Sequence, residues 1–159
     1  MSGGTTVDAR PWSFDEVQVK ANTQPKLVEN NPQGVEVFMN LAPWQTVAAK
    51  RLAEFKALTP NWDSYGGHVP TKAALLASED FVFKVPSFTD IPVPRIVPLG
   101  SGGIQFEWGK GQRELEVHFQ EDGKVSYLKT EAERVEESQP LQGNSVINIA
   151  ALLSWLVSV

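Results

Sequence analysis

GGIQFEWGKGQRELEVHFQEDGKVSYLK, residues 102–129, is the stretch whose reading decides the fold. Ile104, Phe106 and Trp108 alternate with Gln105 and Glu107, and then Leu115, Val117 and Phe119 alternate with Glu114, Glu116 and His118. A period of two builds strands with one buried and one wet face. Turn chemistry suggests the register. A two-residue turn at Lys110-Gly111 sets Trp108 against Arg113, Phe106 against Leu115 and Ile104 against Val117. On the wet face it sets Glu107 against Glu114, and Gln105 against Glu116. Glu121-Asp122-Gly123 suits a three-residue loop with glycine in the left-handed position, pairing Phe119 with Val125 and Val117 with Tyr127.

Outward from this meander the pattern changes. Val35, Val37, Met39 and Leu41 alternate as a strand would. Pro43 then opens a helix over 43–58, because proline in a first helical turn forfeits no needed donor. Trp44, Ala48, Leu52, Phe55 and Leu58 form its buried stripe, and Pro60 ends it. A second helix is expected over 70–84, burying Leu75, Phe81 and Val82. Pro86, Pro92, Pro94 and Pro98 stiffen 86–98 into an extended crossing, where Ile96 and Val97 can add an edge strand.

The two ends of the chain differ from this centre. Residues 1–33 are polar and turn-rich, and read as a loosely ordered arm with one short extended piece at 16–19. The core domain is then 34–137. Residues 138–159 carry no charge, and VINIAALLSWLVSV is apolar on nearly every face, with Asn144 or Ser145 as N-cap. Fourteen residues fall short of the roughly 20 that cross a bilayer. This helix is expected to dock on the core or on a partner, including a second copy of the chain. The fold class is α+β: two helices, a three- to four-stranded antiparallel meander and a C-terminal apolar helix.

Composition limits the function. A chain of 159 residues suits one domain. Without cysteine, thiol nucleophiles, disulfides and sulfur-ligated zinc are excluded. No secretory signal pattern is visible at the start, so a cytoplasmic location is the default expectation. Most of the net charge of −5 lies in residues 101–140, where nine acids stand against five bases, a local balance of −4. That half would repel a phosphate backbone, so no direct nucleic-acid binding is expected, and a basic protein is the easier partner.

Two constellations could carry chemistry. In 61–68, NWDSYGGH, Trp62 and Tyr65 flank Asp63 ahead of two glycines. This could be a binding corner. The simpler reading is an Asx-turn, with Asp63 bonded to its own backbone and both rings covering the core. Glu107 facing Glu114, with Glu116 and His118 nearby, puts like charges across a ladder at a cost of a few tenths to about 1 kcal/mol. Arg113, Lys129 or an external cation could compensate. A divalent cation or acid–base pair could sit there, although a solvated sheet face explains the same residues. No HExxH, GxSxG, P-loop or GxGxxG motif occurs, and no cofactor is implied.

NWDSYGGHVP (61–70) and GGIQFEWGKGQRELEVHF (102–119) together resemble a family of small bacterial proteins of unassigned function, with W-D-x-Y-G and GG-(I/V)-Q-(L/F)-E-W motifs. The resemblance spans about 44–129. It draws attention to Trp62, Asp63, Tyr65, Gln105, Glu107, Trp108, Glu114 and Glu116 without implying an activity for them. The order of elements also resembles RelE-type ribosome-dependent ribonuclease toxins in architecture. Those present a basic surface to RNA, where these strands carry carboxylates.

The sequence thus reads as a non-enzymatic bacterial interaction module that binds through those eight residues. An antitoxin, immunity or phage-defence accessory role is the expected setting. Its rivals are a metal-dependent hydrolase or nuclease built on the carboxylates, and a structural subunit that self-assembles through the C-terminal helix.

Overall fold

The computed structural model describes residues 40–88, 90–141 and 146–158. The expected arm, the strand signal from Val35 to Met39 and the N-cap at Asn144 or Ser145 lie outside the described residues. Asn40 and Leu41 form no regular structure. Eight elements follow: α1 (Pro43–Phe55), α2 (Lys72–Lys84), β1 (Arg95–Pro98), β2 (Ile104–Lys110), β3 (Arg113–Phe119), β4 (Val125–Glu131), β5 (Arg134–Leu141) and α3 (Val146–Val157). The strands form one antiparallel sheet in sequence order.

Local chemistry sets the helix ends. Pro43 occupies the first position of α1, and the last turn tightens through Leu58 N–H to Phe55 O at 3.2 Å, ending the helix three residues before the expected limit. In α2 the Thr71 hydroxyl accepts from Ala74 N–H at 3.0 Å. This cap starts the helix at Lys72 rather than at Pro70. Gln45 was not legible as a core residue, yet it is fully buried. Its Oε1 accepts from Ala42 N–H at 2.8 Å, while its Nε2 donates to Val82 O at 2.7 Å and Val85 O at 2.9 Å. One amide thereby ties the start of α1 to the end of α2, with every polar atom satisfied.

The first hairpin corrects the expected register. Lys110 pairs with Arg113, so the loop is Gly111-Gln112, and Phe106 faces Val117 rather than Leu115. Gly111 has φ 62° while Gln112 does not take positive φ. Glycine at the first central position is the II′ arrangement. Placing it second shifted the expected pairing by two residues. A shift of two leaves each side chain on its face, whereas a shift of one would invert them all. The second hairpin pairs Phe119 with Val125 and Val117 with Tyr127, and Gly123 has φ 84°.

β5 adds a strand beyond the expected meander. Its turn uses Ala132 and Glu133 at φ 49° and 62°, a left-handed pair without the glycine or asparagine that usually marks it. β1 forms the other edge, pairing Ile96 with Phe106.

All three helices pack on one face of the sheet. Trp44, Phe81, Phe106, Trp108 and Phe119 meet there, with ring centroids 5.2 to 6.2 Å apart. Such ring pairs add about 0.5–1.5 kcal/mol each beyond buried area. The Trp44 and Trp108 indole N–H groups have no acceptor among the described residues, and the ring packing offsets that cost. Ile149, Leu152, Leu153 and Leu156 carry α3 into the same core. Arg113 Nη1 donates to Trp155 O at 2.5 Å, and the Lys129 ammonium lies 4.3 Å from the Trp155 ring centroid. The C-terminal helix therefore docks on its own domain. Among the described residues, no helix is long and apolar enough to cross a membrane.

Candidate interaction surface

The register arranges the outward face of the sheet in rows. Val97, Gln105, His118, Ser126 and Pro140 form one, and Arg95, Glu107, Glu116 and Leu128 form the next. Glu107 therefore opposes Glu116, not Glu114 as expected. The cation that relieves this pair comes from β1: Arg95 Nη1 lies 2.7 Å from Glu107 Oε2. Gln105 Nε2 donates to Glu107 Oε1 at 2.9 Å and, more weakly, to Glu116 Oε2 at 3.4 Å. His118 Nε2 lies 3.1 Å from Glu116 Oε2. Five side chains thus form one connected polar network. Arg113 and Lys129, the compensators expected from sequence, instead serve α3 on the other face.

Trp108 does not belong to this surface. It is 3% exposed and its ring lies in the core. Glu114 stands at the outward edge opposite Gly109. There, Arg95, Glu107, Trp108, Gly109, Glu114 and Glu116 line a shallow hollow of about 260 Å³.

The loop 61–68 follows the Asx-turn reading. Asp63 Oδ1 accepts from Tyr65 N–H at 2.9 Å and Gly67 N–H at 2.8 Å, and Asn61 Oδ1 accepts from Gly66 N–H at 2.7 Å. The Tyr65 amide, followed by the Gly67 amide, holds the Asp63 carboxyl below the ordinary aspartate range, because both bonds favour the charged form. A Cβ at Gly67 would stand 2.6 Å from Asp63 Oδ2, so a larger residue there would have to displace the Asp63 carboxylate from its amide bonds. Trp62 Nε1 donates to His68 O at 3.0 Å. Tyr65 departs from the expectation that both rings cover the core, since it is 94% exposed.

The loop and the hollow at Gly109 lie at opposite ends of β2. His68 N–H bonds Gly100 O at 3.0 Å, fixing the loop beside the β1–β2 turn at the Ile104 end of β2. There it borders a cleft of about 720 Å³ with Thr71, Ser101, Glu121 and Asp122. Gly109 lies five residues along the strand, roughly 17 Å away at 3.4 Å per residue. Asp63 is turned onto its own backbone. No group of three or more His, Asp or Glu side chains could hold a metal ion among the described residues.

No protein-family model, curated protein or solved structure matches the chain. The architectural resemblance to RelE-type toxins accordingly carries no argument. Sequence reasoning passed over Arg95 and Gly109. Arg95 sits in a proline-rich crossing, where only the β1–β2 pairing reveals what it faces.

Proposed function

We propose that this chain is a non-enzymatic protein-interaction module whose contact surface is the face of the sheet that no helix of the described residues covers, called here the helix-free face. The observation that supports this reading is the connected Arg95–Glu107–Gln105–Glu116–His118 network on that face. Side chains already held by one another lose little rotamer freedom on binding. Leu128 and Val97 share those rows and supply apolar contact beside the polar groups. Glu107, Glu114 and Glu116 outnumber Arg95, so a partner with basic residues is favoured electrostatically. An antitoxin, immunity or phage-defence accessory protein would act in this way, by occupying another protein's surface.

Site-specific photo-crosslinking tests the reading. A photo-reactive residue replacing Ser126, in cells that naturally make the protein, should trap one discrete partner. Absence of any adduct would remove the proposal.

A further inference from the structure

We infer that the helix-free face receives an amphipathic α-helix of the partner, laid along β4, an inference that rests on that face being the contact surface. The helix sets an apolar stripe over β4 and β5 and a flank of lysine or arginine over β3. The face is divided lengthwise to match. Outward on β1, β2 and β3 stand Arg95, Glu107, Glu114, Glu116 and His118. The same register turns Ser126, Leu128 and Thr130 of β4 outward, and with them Val135 and Pro140 of β5. Among the described side chains, this second half carries no charge. Val135 is 65% exposed, Pro140 is exposed and Leu128 is half-buried. Val135 pairs with Thr130, which makes Leu128 its diagonal neighbour at about 7–8 Å. The boundary between the halves runs along the strands, between β3 and β4. A partner that satisfies both must differ from one side to the other along its own length, as an amphipathic helix does.

The sheet edges argue against an extended partner. β1 has four residues, with Pro94 just before it and Pro98 at its end. β5 carries Pro140, and a bulge interrupts its ladder with β4 between Lys129 and Thr130. Proline lacks the donor that strand addition needs, and a bulge twists an edge away from a new neighbour. Side-chain contact on the face is what remains, and a helix about 10 Å across covers two strands spaced about 4.8 Å apart. Charge selects its flank. Glu107, Glu114 and Glu116 stand against Arg95, which already bonds Glu107 at 2.7 Å, so positive side chains are favoured there. A second copy of this chain would bring the same glutamates to the contact and is disfavoured.

Photo-crosslinking from two positions on β4 measures the partner's geometry. Ser126 and Thr130 stand about 14 Å apart along the strand, at 3.4 Å per residue. A photo-reactive residue is placed at each in turn, in the whole chain and in cells that naturally make it, and mass spectrometry identifies the partner residue attached. The two attachment points should lie about nine residues apart in the partner, because a helix rises 1.5 Å per residue. An extended chain would place them about four residues apart. Glu114→Lys should lower both adducts about tenfold, the low end of electrostatic steering, with the melting temperature unchanged. Points about four residues apart, a marked segment without lysine or arginine, attachment within a second copy of this chain, an adduct from Ser126 but none from Thr130, or undiminished adducts with Glu114→Lys would each overturn the inference and leave the interaction face. No adduct from Ser126 would remove that face and the helix together.

Discussion

Gln45 illustrates how a single side chain can be structural without looking so. In sequence it is a polar residue in the first turn of a helix, where exposure is the ordinary expectation. In the fold it bonds one backbone donor and two backbone acceptors from two helices. Replacing it with leucine keeps the bulk and strands all three groups. Gln45→Leu should therefore cost about 3 kcal/mol in urea unfolding, since a buried polar group left unpaired costs about 1–3 kcal/mol; a loss below 1 kcal/mol, the low end of that range, would contradict the brace. Asp63 was legible, because Asp ahead of paired glycines is common turn chemistry. Its lowered pKa makes the stabilisation pH-dependent. The contribution is full above the ordinary aspartate value, about 4, and is lost as pH falls through the lower folded value. The melting-temperature advantage over Asp63→Asn should thus be present at neutral pH and shrink in acid. An advantage that grows on acidification would contradict it. The position of the Tyr65 ring was not legible, because loop residues carry no periodicity to say which way a ring turns.

At the scale of elements, periodicity located α1, α2, β2, β3 and β4, and the prolines of 86–98 placed an edge strand where β1 lies. Two features escaped. The first hairpin's register depended on whether glycine takes the first or second turn position, and Lys110-Gly111-Gln112 permits either. β5 escaped because its turn puts Ala132 and Glu133 in left-handed backbone, which costs a non-glycine residue roughly 1–2 kcal/mol. That cost is recoverable. Ala132→Asn combined with Glu133→Gly should raise stability by about 1–2 kcal/mol, read by thermal and urea unfolding. No gain would mean that the β4–β5 turn is not left-handed in solution.

For the whole molecule, the decisive fact is one-sidedness. α1, α2 and α3 cover one face of the sheet, and among the described residues no helix lies on the other. The alternation around Phe106 and Glu107 foretold that division, and the two-residue register error did not disturb it, because strands repeat every two residues. The 61–68 loop sits at the Ile104 end of β2, with Asp63 bonded to its own backbone. Sequence could not say which cation relieves Glu107, because that depends on the pairing of β1. The account's central claim is that the helix-free face is where a partner binds. The most direct measurement compares photo-crosslinking from Ser126, on that face, with crosslinking from Leu76, an exposed residue of α2. The account predicts one discrete adduct from Ser126 and none from Leu76; an adduct from Leu76 with none from Ser126 would contradict it.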